Sequence, residues 1–84
     1  VTFGVDYKHD PNDIIKIAIE ATKDIKRILR EPICHFTGFG ESSLDFALRF
    51  WINDPENGTG NIKSEIYLAL WDAFKRHGID IPYP

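Results

Sequence analysis

One cysteine, Cys34, in 84 residues excludes an internal disulfide and fits a reducing compartment. No apolar run approaches the ~20 residues that span a bilayer. No charged-then-apolar N-terminal segment of the secretory kind is present either, so the chain by itself reads as soluble. The 5 prolines and 6 glycines are too few and too scattered for a low-complexity linker. Basic charge is also scarce: 10 Lys and Arg stand against 13 Asp and Glu, a net charge of −3. A duplex-binding face needs a basic excess, and the one basic cluster, Lys23 to Arg30, is broken by Asp24, Ile25, Ile28 and Leu29. No nucleic-acid partner is expected.

Chemistry-bearing clusters are missing as well. His9, His35 and His77 fall near a turn, on a strand and at a helix end, which matches no metal-ligand spacing. Cys34 and His35 are adjacent, so on a strand they point to opposite faces and form no nucleophile–base pair. Thr37 to Ser43 holds two glycines in the style of a phosphate loop, but a strand follows it where the anion site needs a helix N-terminus. Asp54, Glu56 and Asn57 lack the alternating order of a calcium loop. The sequence therefore predicts no catalytic residue, no metal and no cofactor.

What is present is a folded domain. An apolar fraction of 43% beside a charged fraction of 27% is ordinary for a globular protein. A chain this short buries roughly 60% of its unfolded surface, enough for one small core. Val1–Tyr7 alternates Phe3, Val5 and Tyr7 against Thr2, Gly4 and Asp6, the pattern of a strand. Asp10 as N-cap, Pro11 at the first helical position and Asp13 in the first turn start a helix. Its stripe of Ile14, Ile17, Ala18, Ala21, Ile25 and Ile28 predicts a run to about Arg30, with Lys26, Arg27 and Arg30 near the negative C-terminal end. Pro32 stops it.

Ile33–Phe39 reads as a second strand. From Leu44 to Ile52, Leu44, Phe46, Leu48, Phe50 and Ile52 alternate with Asp45, Ala47, Arg49 and Trp51, the strongest strand signal in the chain. The phenylalanines belong to this most apolar face, so they pack under helices and do not stack bases. Asp54 to Gly60 is a loop. A second helix over Asn61–His77 carries the stripe Ile62, Ile66, Leu70, Ala73 and Phe74, with Gly78 just past its end. Ile79–Ile81 is a short extended piece, and Pro82-Tyr83-Pro84 forces an extended exit. The order β-α-β-β-α-β predicts a single α+β, ferredoxin-like sandwich with two helices on one face of a small mixed or antiparallel sheet.

The run from Phe39 through Gly40, Ser42, Ser43, Arg49 and Trp51 to Ile52 resembles the C-terminal region of MscS-type mechanosensitive channels, as does the later Gly78-Ile79-Asp80-Ile81-Pro82-Tyr83-Pro84. Gly4-Val5-Asp6-Tyr7 and Arg27-Ile28-Leu29-Arg30-Glu31 are similar to the same family, so the resemblance spans nearly the whole chain. It implies a non-enzymatic domain on the cytoplasmic side of the inner (plasma) membrane, where family members form oligomers, typically heptamers, that open under bilayer tension and release ions and osmolytes. Their cytoplasmic parts build a perforated vestibule below the pore. This chain departs from the full pattern: it has no transmembrane helices, and it stops at Pro84 where the family continues into a small terminal barrel. Residues 1–84 are thus expected to be one cytoplasmic α/β domain that reaches the membrane through segments outside this chain.

Two large residues fit the expected core poorly. Trp51 falls on the outer face of the third strand and Trp71 lies off the helical stripe, and large apolar residues outside a small core mark interfaces. Trp51, Trp71, Arg49 (on the same strand face as Trp51) and Leu68 (on the second helix) are the candidate subunit-interface residues. The competing readings are a stand-alone ferredoxin-like module that binds a small regulatory ligand, and a small enzyme, for which no acid, base and nucleophile converge.

Overall fold

The most strictly alternating segment becomes the middle strand of the sheet. In the computed structural model, which describes residues 1–82, the elements are β1 (Thr2–Val5), α1 (Pro11–Thr22), β2 (Ile33–Phe39), β3 (Leu44–Arg49), a 3-10 turn over Pro55–Asn57, and α2 (Gly60–His77). The sheet is antiparallel with the order β1-β3-β2. Leu44, Phe46 and Leu48 of β3 are buried, and they meet Val5 of β1 and Cys34 of β2 on the helix-covered face. All five residues of the predicted α2 stripe are buried, and Gly78 ends that helix with φ 67°. Only glycine reaches this left-handed region without a steric penalty. The result is a small α+β sandwich of ferredoxin-like type.

Helix α1 begins as expected, with the Asp10 carboxylate accepting from the Asn12 N–H at 2.9 Å. It ends eight residues earlier than the periodicity predicts, at Thr22 rather than Arg30, and no basic residue lies in its last turn. The buried Thr22 hydroxyl donates back to the Ala18 carbonyl at 2.8 Å, a bond that competes with helix continuation. Beyond it the backbone closes separate turns, Ile25 N–H to Thr22 C=O and Ile28 N–H to Ile25 C=O. Tertiary partners then take the rest: Leu29 N–H donates to the Trp51 carbonyl at 2.8 Å, and Arg27 is held by Asp54. Ile28 stays buried, so the apolar spacing served the core without a helix.

The first and third strands are shorter than their patterns. β1 stops at Val5 and β3 at Arg49, so Phe50, Trp51 and Ile52 lie beyond the sheet, half-buried. The predicted fourth strand over Ile79–Ile81 is not a strand. One ladder-like bond forms, from Asp6 N–H to the Asp80 carbonyl at 2.9 Å. The next positions are unavailable: the Asp80 N–H goes to His9 Nε2 at 3.0 Å, and Pro82 has no N–H to give. Further along the β1 edge, the Tyr67 hydroxyl accepts from Thr2 N–H at 3.3 Å and donates to its carbonyl at 2.8 Å. The expected extended exit at Tyr83 and Pro84 lies outside the described residues.

Candidate subunit interface

Helix α2 turns one stripe inward, and at ~100° per residue that leaves positions 67, 68 and 71 facing out. Tyr67, Leu68 and Trp71 are exposed to 44%, 62% and 53%, a concentration of apolar surface that a core does not need. Together with Phe3 and Ile81 they line an apolar groove of about 460 Å³ between α2 and the β1 edge. Its walls are ordered. Tyr67 is pinned to Thr2 by the two bonds above, Phe3 stacks on Phe46 with centroids 5.2 Å apart, and Lys75 Nζ lies 5.8 Å from the Trp71 ring centroid.

The second tryptophan sits differently. Trp51 follows β3, so no strand presents it on an outer sheet face, which corrects the placement read from alternation. The Arg30 guanidinium lies 3.7 Å from its ring centroid and covers it. Arg49, the last residue of β3, is exposed and lines a shallow depression with Trp51, Val1 and Phe50. The fold thus brings Leu68 to Trp71 and Arg49 to Trp51, and neither depression is lined by residues of both pairs.

The family model described as "Mechanosensitive ion channel MscS, C-terminal" matches residues 1–81. The chain belongs to the MscS family. An uncharacterized MscS family protein of Buchnera aphidicola subsp. Baizongia pistaciae (strain Bp) is 31% identical over 90 residues, covering 96% of this chain and 29% of the relative. The chain therefore spans less than a third of that relative's length. The family is one of oligomeric membrane channels and not of enzymes. No helix among the described residues is long and apolar enough to cross a membrane.

Other polar groups of this MscS domain bond within the fold, among them His9, Lys8 and Asp80. Among the described residues no group of three or more His, Cys, Asp or Glu comes close enough to hold a metal ion. His9 accepts from the Asp80 backbone, and Cys34 is buried on β2 with its thiol pushed up to about 11 by desolvation, far from an activated nucleophile. Lys8 pairs with Asp80, whose carboxyl is held below its usual range first by that hydrogen bond. Sequence reasoning missed Tyr67 and Ile81 in the groove. Tyr67 could have been found by the criterion that found Trp71, since it too lies off the Ile66/Leu70 stripe. It also missed Phe39, exposed to 75%. Phe39 is the last residue of β2, as the sequence predicts, but a bulge between Phe36 and Gly38 sets Phe36 opposite Phe46 and Phe39 opposite Leu44, so both aromatics share one face.

Proposed function

We propose that residues 1–84 form one assembly domain of a mechanosensitive channel, working in the vestibule on the cytoplasmic side of the inner (plasma) membrane. In this reading the full-length protein is a homo-oligomer, a heptamer as the resemblance implies, whose membrane segments lie outside this chain. It opens under bilayer tension to pass ions and small osmolytes, and the domain supports assembly and the solute path below the pore. Trp71 and Leu68 are the interface residues best placed for that work, with Arg49 and Trp51 as a second contact. The observation that carries this reading is the groove: a domain of the MscS family leaves an ordered aromatic and aliphatic surface uncovered on α2. Buried aromatic anchors carry much of the energy of protein interfaces.

The test is the mass of the full-length protein in detergent, together with patch-clamp recording under suction. The expected result is a closed oligomer with tension-activated conductance. Substituting Trp71 and Leu68 together by Ser should weaken the oligomer while the fold is retained. A monomeric protein, or one silent under tension up to membrane rupture, would refute the reading.

A further inference from the structure

We infer that His9 is a proton-released latch on residues 79–82: neutral, it holds the Asp80 backbone against the turn before α1, and protonated, it lets go. Ile81 of that segment walls the α2 groove, and Ile79, Ile81 and Pro82 line the larger depression beside it.

Among the described residues, three backbone N–H bonds tie this segment to the body of the domain. The Ile79 N–H returns to the Phe74 carbonyl at 2.8 Å, and the Asp6 N–H donates to the Asp80 carbonyl at 2.9 Å. Both join an amide to a carbonyl and do not titrate. The third runs from the Asp80 N–H to His9 Nε2 at 3.0 Å, across 71 positions of sequence. Pro82 has no N–H with which to add another.

The third bond fixes the state of the ring. Nε2 accepts a hydrogen bond only while it carries no proton, so His9 is neutral when the segment is held. Its position comes from the turn: the His9 N–H donates to the Asp6 carbonyl at 3.2 Å, and the Lys8 N–H to the Asp6 carboxylate at 2.9 Å. Protonation sets Nε2–H against the Asp80 N–H, two donors with no acceptor between them. The bond is therefore present at higher pH and lost as pH falls. Histidine is the side chain whose ordinary charge change lies between pH 5 and 8.

Charged groups surround the contact on every side. Lys8 and Asp10 flank His9 in sequence, Asp6 closes its turn, and Asp80 faces it from the far segment, with its carboxylate paired to Lys8. Lys75 of α2 lines the same depression as Asp6 and Asp80, and the positive N-terminal end of α1 begins two residues on. Their balance sets the pH of release and not its direction. An imidazolium that turns toward a carboxylate still uncovers the Asp80 N–H to water. Residues 79–82 then keep two anchors, and the Ile81 wall of the groove loosens while the sheet and both helices stay.

Hydrogen exchange of the full-length protein, read by mass spectrometry on peptides covering residues 75–82, tests the latch. Parent and His9→Gln are compared at the same pH, so their intrinsic rates cancel. Gln keeps an oxygen acceptor near the Nε2 position and cannot titrate. At pH 8 the two should exchange alike. At pH 5.5 the amides of residues 79–81 should exchange about fivefold faster in the parent, which is what one hydrogen bond of ordinary strength contributes. His9→Phe, with no acceptor, should already show the faster exchange at pH 8. Equal exchange of parent and His9→Gln at pH 5.5, or of parent and His9→Phe at pH 8, would overturn the latch. Acceleration in the parent that runs equally through residues 66–70 would overturn it too, as general loosening by acid. None of these outcomes bears on whether the channel assembles or conducts.

Discussion

Arg27 grips Asp54 across 27 positions of sequence: its Nε lies 3.0 Å from one carboxylate oxygen and its Nη2 3.1 Å from the other. The same Nη2 donates to the Gly58 carbonyl at 2.9 Å, so one guanidinium ties the segment after α1 to the loop that launches α2. A fork of this geometry is specific to arginine.

The hydrogen bonds from Arg27 hold the Asp54 carboxyl below its usual range. A carboxylate whose folded pKa is depressed adds stability above its unfolded pKa, about 3.9 for Asp. That stability is lost as pH falls through the folded value. The melting temperature of the parent domain should therefore drop more steeply below about pH 4 than that of Asp54→Asn, which has nothing left to protonate. Arg27→Lys should lower the melting temperature at pH 7, because one ammonium cannot span both carboxylate oxygens and the Gly58 carbonyl. Thermal melts between neutral and strongly acid pH check both. Parallel curves for parent and Asp54→Asn would count against the clamp.

Phe46 and Phe50 belong to one alternating sequence pattern but differ in the fold. Phe46 is 1% exposed, with Phe3 and Phe36 against its ring at 5.2 and 5.3 Å. Phe50 lies past the end of β3 and is only half-buried. Phe46→Ala should cost ~3–5 kcal/mol, most of the stability of a domain this size. Phe50→Ala should cost about 1–2 kcal/mol. Urea unfolding of the two variants separates them, and equal losses would mean that β3 extends further than described.

The contrast shows which parts of the fold local pattern could reveal. The α2 stripe was legible because the helix satisfies its backbone internally and its period matches a buried face. The end of α1 was not legible, since Ile25 and Ile28 keep a spacing that suits both a helix and successive turns. What decides between these is the capture of Leu29 N–H by Trp51 and of Arg27 by Asp54, partners distant in sequence. The missing fourth strand has the same cause, as His9 and Tyr67 occupy backbone groups that a ladder would use. Of the candidate interface, Trp71 and Leu68 were visible as off-stripe apolar residues. The exposure of Phe39 follows a bulge that no periodicity reports.

Gly78 gives a further test of backbone conformation. Its φ of 67° ends α2, with the Ile79 N–H returning to the Phe74 carbonyl at 2.8 Å. No atom lies near a would-be Cβ, so Gly78→Ala probes conformation without a clash. The variant should lose about 1 kcal/mol in urea unfolding. An unchanged midpoint would mean that the helix end relaxes freely.

Cys34 should be chemically silent in the folded protein. The side chain is 6% exposed, and burial pushes its thiol to about 11. At pH 8 the thiolate would then be on the order of one molecule in a thousand, and thiolate is the reactive form. Ellman's reagent should label the native domain only as fast as it opens, and fully in urea. Stoichiometric labelling within minutes under native conditions would place Cys34 at the surface.

The two tryptophans should report on different events. Trp51 lies half-buried under the Arg30 guanidinium at 3.7 Å, so its emission should be shielded in monomer and oligomer alike. Trp71 is 53% exposed beside Leu68 and should emit as a hydrated indole in the isolated domain. The sequence places both rings outside the core, and the fold leaves Trp71 the more exposed of the two. Trp51→Phe and Trp71→Phe isolate the signals. Acrylamide should quench the protein that keeps Trp71 several times more effectively than the one that keeps Trp51. In the assembled full-length channel, Trp71 should shift to the blue and lose most of its quenching, because an apolar groove filled by a neighbour excludes water and quencher together. If Trp71 stays quenchable in a verified oligomer, the α2 groove is not the contact surface, and the depression lined by Arg49 and Trp51 becomes the place to look.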